Sequence, residues 1–341
     1  MTEPDASSHD GRPVFRRILP SLAIVLAAAA IAVALLRDLD VAAVITTMTR
    51  VSPAAAALII ALQLAASGIL GLSWKLLVPA GESTGTVEFI AARLVRDAVG
   101  ELLPLSQLGG YAAGARVAGL LGMTVGMAIA STFADIATEM IAQIAHLLTG
   151  AAILAAAGIG APIVSAAVIG AALAVPAAAG FVAVQIYGDH FIPERIRRCV
   201  PFLCRSDRGE GAARADAFHR IWLGQGHPLA SVAFHLIAWF LLGCQALVIL
   251  RSMGVQIGWA QVLAVEALLQ GLRSLAFAVP NAVGVQEVAY AALGLAFGFG
   301  AEAGVALSLV KRARDVAVGG PVLLIWLSME GRMWRHRKIS P

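Results

Sequence analysis

Long apolar stretches separated by short polar segments run through the whole chain. Seven of them approach or exceed the roughly 20 residues that a membrane-spanning helix needs, and they lie near residues 18–36, 54–78, 124–149, 160–186, 228–250, 258–278 and 303–327. The first stretch also resembles a signal peptide, but it is too long and no small-residue cleavage site clearly ends it. We therefore expect a first transmembrane helix there.

Two further segments, 86–122 and 279–300, are shorter, broken and amphipathic. In and around each, an arginine is followed by a proline and then by glycine, glutamine and tyrosine. Charges and helix breakers are costly in hydrocarbon, so such segments persist where they are buried in protein or line a watery cavity. The pattern predicts an all-α polytopic membrane protein of six to eight transmembrane helices. Its two broken or re-entrant segments would stand in a pseudo-repeated arrangement.

Three polar regions carry an excess of arginine and lysine, and they divide the chain into an N-terminal tail 1–17, a loop 187–227 and a C-terminal tail 330–341. The membrane halves 18–186 and 228–329 lie between them. Basic loops stay in the cytoplasm, so we expect both termini there and an even number of crossings between basic regions. The loop is expected to lie on anionic lipid headgroups. A regulatory or partner-docking role is the alternative, and nucleic-acid binding is not expected.

Composition leaves little room for a soluble enzyme. Hydrophobic residues make up 59% of the 341 positions and charged residues 13%, against about 25% charged in soluble domains. The cysteines, Cys199, Cys204 and Cys244, form neither a disulfide framework nor a standard zinc site, and no common catalytic motif occurs. His235 and Trp239 share a helix face that suggests packing. We expect no enzyme activity, no metal and no cofactor.

Ionisable and amide side chains at membrane depth are the candidate site. The residues expected to contact a lipid headgroup are Arg93, Arg96, Glu101, Gln107, Arg116, Arg273, Asn281, Gln286, Glu287 and Arg312. Carboxylates that would couple transport to ions or protons are Asp135, Glu139, Glu266 and Asp315. Arginine suits phosphate through its planar fork of donors. The alternative for each residue is an internal salt bridge that joins helices.

Helical spacing predicts some local ion pairs. Arg93 and Asp97 are four residues apart, as are Lys311 and Asp315, while Arg312 and Asp315 are three apart. Side chains at these spacings lie on one face of a helix.

Asp135 and Glu139 are also four apart, but both are carboxylates. A like-charged pair in low dielectric must find cations or hold a proton, and the arginines of the broken segments are candidates for those cations. Glu266 and Arg273 are expected to project from one side of a helix, with Gln270 between them.

Helix breakers mark the centre of each unusual segment. Pro104 and Pro280 remove a backbone donor and bend or end a helix. Gly109, Gly110 and Gly284 follow, and glycine permits close approach and positive φ. Half-helices that meet at such breaks expose amides and dipole ends to substrates in transporters. A kinked helix without a ligand is the alternative.

Several of these stretches resemble a known family. The segments are Arg96 to Arg116, His235 to Trp239, Glu266 to Tyr290 with its VPNAVGVQEVAY element, and the LSLVKRARD element from Leu307 to Asp315. Together they resemble the flippase-like family that shares the transmembrane region of lysylphosphatidylglycerol synthases, nearest to its hopanoid-biosynthesis-associated branch. The resemblance implies a bacterial inner-membrane protein that moves or handles a polar-headed lipid. Gln245 departs from the pattern, which often has an acidic residue there.

These observations favour a lipid translocase without an ATPase motif, whose partners are membrane lipids, either hopanoids or anionic phospholipids, and possible lipid-biosynthesis proteins. Two alternatives stay open. One is a membrane scaffold that organises a lipid-synthesis complex without transport. The other is a membrane-embedded headgroup transferase with Asp135 and Glu139 as its acid–base groups. The oligomeric state is not predicted.

Overall fold

The computed structural model describes residues 39–81, 85–103, 106–158, 160–191, 208–275, 282 and 284–339. These residues form eleven α-helices and no strand. The helices are α1 (Val41–Met48), α2 (Pro53–Leu77), α3 (Thr86–Leu102), α4 (Ser106–Leu120), α5 (Val125–Ala156), α6 (Ala161–Phe191), α7 (Arg208–His219), α8 (Pro228–Ser252), α9 (Trp259–Leu275), α10 (Val285–Ala296) and α11 (Ala301–Ile339). A π-helical turn, Arg220–Gly224, follows α7. The predicted all-α class is confirmed.

Four of the described helices, α2, α5, α6 and α8, are long and apolar enough to cross a membrane. All four lie where the sequence predicts spans, which makes this a multi-pass membrane protein. Helices α9 and α11 occupy the predicted spans at 258–278 and 303–327, but both carry charged residues near their centres. The predicted span at 18–36 lies outside the described residues.

Local sequence sets where the long helices begin. Ser52 caps α2 by accepting a hydrogen bond from the Ala55 amide at 3.2 Å, and Pro53 occupies the first turn, where no amide is needed. Thr124 caps α5 in the same way. Helix α8 also begins with a proline, Pro228. Apolar residues then fill each helix for more than six turns, long enough to cross hydrocarbon.

The first broken segment folds into an antiparallel helical hairpin. Helix α3 ends and α4 begins around Pro104, which itself lies outside the described residues. A Cβ atom on Gly110 would lie 3.1 Å from the Gly100 amide nitrogen, and one on Gly114 would lie 3.5 Å from the Ala92 carbonyl oxygen. Contacts that run in opposite directions along the two helices define the hairpin. The segment therefore returns the chain to the side on which it began.

The second broken segment has a related construction. Helix α9 ends before Pro280, another residue outside the described part, and α10 begins after Gly284, which has φ +82°. The Gly284 amide donates to Glu287 Oε2 at 2.8 Å and so caps the helix. Helices α10 and α11 pack antiparallel and so closely that a Cβ atom on Gly304 would collide with the Tyr290 carbonyl oxygen. The positive φ expected of the glycine near this break is present at Gly284.

Helices α2–α5 and α8–α11 form two copies of one pattern. The first set has 25, 17, 15 and 32 residues, and the second has 25, 17, 12 and 39. In each set a break separates the second helix from the third, and a turn with a positive-φ glycine, Gly122 or Gly298, separates the third from the fourth. The predicted pseudo-repeat is confirmed.

The two copies are related by an approximate two-fold axis in the membrane plane. Equivalent helices α2 and α8 pack antiparallel, since the His227 amide donates to the Leu76 carbonyl at 2.9 Å and Gln245 Nε2 donates to the Ile59 carbonyl at 2.7 Å. Helix α3 packs on α11, just as α9 packs on α5. A two-fold axis that reverses spanning helices lies parallel to the bilayer. The fold is thus an inverted-topology repeat, an architecture that many transporters share.

Candidate functional site

A cavity of about 940 Å³ lies where the two repeats meet. Both halves contribute equivalent positions to its wall. Glu139 and Asp315 are each the fifteenth residue of the long last helix of their repeat, and both line the cavity. Asp97 and Gln270 are likewise equivalent positions on α3 and α9, and both line it. The cavity therefore sits on the pseudo-two-fold axis, where inverted-repeat transporters hold their substrates.

One wall of this cavity is apolar. Helix α6 supplies small and branched residues, and α5 adds larger ones, among them Ile163, Ala167, Gly170, Ile144 and Leu147. The charged and amide side chains come mainly from α3, α4, α9 and α11, and α5 adds Glu139 and Gln143. A space lined by both polar and apolar groups suits an amphipathic molecule.

Asp135 is the centre of the ion cluster in the first half. Its side chain is fully buried, and its Oδ2 accepts hydrogen bonds from Arg96 Nη1 and, at 3.3 Å, from Arg93 Nη1. Its Oδ1 lies 3.2 Å from His235 Nε2 on α8. A buried carboxylate is stable only with such compensation. The prediction that arginines of the first broken segment neutralise Asp135 and Glu139 is confirmed.

Glu139 connects this cluster to the cavity. Arg96 Nη2 donates to Glu139 Oε2 at 2.6 Å, and Arg93 Nη2 lies 3.7 Å from Oε1. Arg93 Nε also donates to Asp97 at 2.9 Å, which confirms that predicted local pair. The Arg96 guanidinium lies over the Tyr111 ring, 4.4 Å from its centroid, a cation–π contact. Arg93, Asp97, Glu139 and Tyr111 all line the cavity.

A chain of buried hydroxyl groups fixes the helices behind the cluster. The hydroxyls of Thr138 and Ser231 lie 2.9 Å apart, and those of Ser231 and Ser73 lie 2.8 Å apart. These bonds join α5, α8 and α2. Buried polar networks of this kind hold a unique packing when every member is satisfied.

The second half has its own buried cluster on α9, α10 and α11. Lys311 Nζ donates to Glu266 Oε2 at 2.5 Å and to the Tyr290 hydroxyl at 2.6 Å. The same hydroxyl donates to Glu266 Oε1 at 2.7 Å. None of these three residues lines the cavity. Glu266 and Arg273, which were expected to project from one side of α9, bind different partners. Glu266 binds Lys311 on α11, and Arg273 binds Glu101 on α3.

Glu287 and Arg312 form a separate pair beside this cluster. Arg312 Nε donates to Glu287 Oε1 at 2.5 Å, and the Ser308 hydroxyl donates to the same oxygen at 3.1 Å. Gln286 Nε2 donates to Ser308 at 2.9 Å. These predicted headgroup residues hold α10 against α11 and do not line the cavity.

Glu101 and Arg273 bridge the two repeats at the cavity. Arg273 Nη2 lies 2.9 and 3.1 Å from the two carboxylate oxygens of Glu101. Both residues are close to the C-terminal ends of their helices, directly before the breaks, and both line the cavity. The bridge therefore links the two helices, α3 and α9, that precede the breaks.

The predicted local pairs of Asp315 are wrong. Asp315 binds Arg314, whose Nη2 lies 2.6 Å from Oδ1, instead of Lys311 or Arg312. Lys311 binds Glu266 on α9, and Arg312 binds Glu287 on α10. Lys311 and Arg312 thus pair with carboxylates on neighbouring helices and not with the carboxylate that lies three or four residues further along α11.

The contacts of Gln245 explain how an amide can replace the acidic residue that the family pattern often has at this position. Its Oε1 accepts a hydrogen bond from Arg314 Nη1, and its Nε2 donates to the Ile59 carbonyl. The amide oxygen accepts from Arg314 as a carboxylate oxygen would, and the amide nitrogen adds a donor that a carboxylate lacks.

The remaining predicted residues are dispersed. Gln107 lines the cavity, and Gly109 lies within α4. Arg116 lies outside the cavity and makes a bidentate bridge to Glu330 on α11, at 2.6 and 2.9 Å. Asn281 lies outside the described residues.

Sequence reasoning missed three members of the clusters. His235 reads as a packing residue because its neighbours on α8 are apolar, yet it is fully buried against Asp135. Tyr111 and Tyr290 belong to the repeated pattern but were given no role. Each is the sixth residue of the helix after its break. The signal in the sequence that could have found them is the tyrosine that follows the proline, glycine and glutamine in both segments.

The fold and site define a multi-pass helical membrane protein with an inverted repeat and an amphipathic cavity at the repeat interface. The family model described as the lysylphosphatidylglycerol synthase TM region matches residues 20–321, so the chain belongs to that family. Membership indicates a membrane protein involved in lipid handling. No curated protein matches the chain, and no solved structure matches it.

Proposed function

We propose that the protein moves a polar-headed lipid between the leaflets of the bacterial inner membrane. The headgroup occupies the cavity on the pseudo-axis while the hydrocarbon chains follow the apolar lining from α6. The observation that carries the proposal is the cavity itself, which combines charged and amide groups with an apolar stretch supplied by α6. The family membership supports it, because the family is named after an enzyme of lipid synthesis.

The charges on the wall favour a headgroup that donates hydrogen bonds. Among the described residues that line the cavity, the arginines are Arg93, Arg273 and Arg314, and the carboxylates are Asp97, Glu101, Glu139 and Asp315. Each of these arginines already binds a carboxylate, so a bare phosphate would have to displace one. A headgroup hydroxyl can instead donate a hydrogen bond to a carboxylate or amide oxygen on the wall, because such an oxygen accepts more than one hydrogen bond. We therefore favour a hydroxylated hopanoid or a related envelope lipid over a simple anionic phospholipid.

Ion coupling through carboxylates on the cavity wall is part of the proposal. Of the predicted coupling residues, Asp135 and Glu266 are buried with their partners and do not line the cavity, whereas Glu139 and Asp315 line it at equivalent positions. Glu139 and Asp315 are thus the groups that a passing headgroup or ion meets. The basic tails and loop support a topology with both termini in the cytoplasm. The proposal includes no covalent step, and lipid-synthesis enzymes are the expected source of the lipid.

Reconstituted vesicles test the proposal. Purified protein should accelerate the transfer of a labelled hydroxylated lipid between leaflets at least tenfold over empty vesicles. Glu139→Gln should slow that transfer by an order of magnitude, whereas Glu330→Gln, whose pair lies outside the cavity, should leave it unchanged. A transfer rate equal to that of empty vesicles for hopanoid and phospholipid probes alike would overturn the proposal.

A further inference from the structure

The two repeats carry ion pairs of reversed polarity at equivalent positions. The eighth residue of the 17-residue helix is Arg93 in one repeat and Glu266 in the other. The eleventh residue of the long helix is Asp135 in the first and Lys311 in the second. Arg93 binds Asp135, and Lys311 binds Glu266. Each repeat therefore has one cation and one carboxylate in the same place, with their helices exchanged.

A tyrosine completes each set. Tyr111 and Tyr290 are both the sixth residue of their short helix. Tyr111 contacts Arg96, the second cation bound to Asp135, whose guanidinium lies 4.4 Å from the ring centroid. Tyr290 contacts Lys311 itself, whose Nζ lies 5.3 Å from the ring centroid. Both clusters thus contain a phenol, a cation and a carboxylate, and they offer a ligand the same kinds of donor and acceptor.

The clusters differ in what covers them. In the first half Arg93 and Tyr111 line the cavity. Asp135 and Arg96 are buried behind them and do not line it. In the second half Tyr290 is fully buried, and none of Glu266, Tyr290 and Lys311 lines the cavity. A two-fold axis in the membrane plane relates the halves, so exchanging their conformations would open a cavity to the opposite side of the membrane and uncover the second cluster.

We propose that Glu266, Tyr290 and Lys311 form the headgroup site of the oppositely facing state. In that state they line the cavity, and the first cluster closes behind α4. The site binds the same hydroxylated headgroup class, because its groups match those of the first cluster. This inference rests on the proposed transport function.

Thiol accessibility in intact membranes tests the inference without a transport assay. Single cysteines are placed at Tyr111, Tyr290, Ser308 and Ser73 in a chain whose native cysteines are replaced by serine. Ser308 contacts Gln286 and Glu287 beside the second cluster, and Ser→Cys is a conservative change. Ser73→Cys is the buried control, since its hydroxyl lies buried in the α2–α8 contact. A membrane-impermeant maleimide is added from either side.

Tyr111→Cys should react from one side only. Tyr290→Cys and Ser308→Cys should react from the other side, at least tenfold faster than Ser73→Cys. If both second-half cysteines stay as unreactive as Ser73→Cys, or react from the same side as Tyr111→Cys, the inference is wrong. Ser308→Cys decides the outcome if Tyr290→Cys does not fold. Opposite-side labelling in a protein that moves no lipid would refute the proposed function but keep the alternating exposure.

Discussion

Removal of the Asp135 carboxylate is the perturbation that the structure predicts most sharply. In Asp135→Ala the guanidinium groups of Arg93 and Arg96 and the imidazole of His235 all lose an acceptor in a fully buried place. Glu139 remains and compensates part of the charge. Breaking a buried ion pair by removing one partner costs about 3–5 kcal/mol, mainly because a charge stays buried without compensation.

Because Glu139 compensates part of the charge, we expect a loss of stability in the lower half of that range. This loss should lower the melting temperature of the detergent-solubilised protein by roughly 5–10 °C. The matched control is Glu330→Ala, which removes the partner of Arg116, a residue whose side chain is 46% exposed. Exposed pairs contribute about 0–1 kcal/mol, so this variant should melt within about 2 °C of the wild-type protein.

A double variant separates electrostatics from packing. Asp135→Leu combined with Arg96→Leu removes both charges, so its loss of stability should be smaller than the sum of the single losses, by about 0.5–3 kcal/mol. The reasoning is refuted if Asp135→Ala melts like Glu330→Ala, or if the two leucine substitutions are strictly additive.

Two further changes test the packing and the hydrogen bonds of the repeat. A Cβ atom in Gly110→Ala would lie 2.5 Å from the Arg96 carbonyl oxygen, so this variant should lose about 1–3 kcal/mol, whereas Gly320→Ala, with open space around it, should be neutral or slightly stabilising in the same thermal-melting assay. Gln245→Leu leaves Arg314 Nη1 without its acceptor, and it should cost about 1–3 kcal/mol in chemical denaturation. Unchanged stability in Gly110→Ala or Gln245→Leu would contradict these contacts.

The broad architecture followed from sequence because hydrocarbon imposes strict rules. Only helices long enough to cross it can satisfy their backbone groups there, which is why α2, α5, α6 and α8 lie at their predicted places. The requirement that two neighbouring carboxylates find cations likewise predicted the contacts of Asp135 and Glu139. Both predictions rest on costs that any membrane protein meets.

The detailed pairing did not follow, because it depends on how helices pack. Spacing along one helix predicted that Asp315 binds Lys311 and Arg312, but α9 and α10 bring Glu266 and Glu287 closer to those cations. His235 could not be assigned from an apolar helix, since Asp135 reaches it from α5. Contacts of this kind, between residues far apart in the sequence, can be assigned only when the packing of the helices is known.

The repeat was visible in sequence only as two similar segments. Its inverted relation depends on the antiparallel contact between α2 and α8, where Gln245 reaches Ile59, and on the equal positions of Glu139 and Asp315 in their helices. Reversed charges at Arg93 and Glu266 conceal the repeat from a comparison of residue types.

The central claim is that the cavity holds a lipid headgroup, and native mass spectrometry of the purified protein tests it most directly. Ala292 on α10 is exposed into the cavity, so Ala292→Trp should project an indole ring into it and obstruct a bound headgroup. Leu295→Trp on the same helix changes a 67% exposed outer position. The account predicts that wild-type protein and Leu295→Trp carry a bound lipid with a hydroxylated headgroup and that Ala292→Trp loses it. Equal lipid occupancy in all three proteins, or none in the wild type, would contradict the claim.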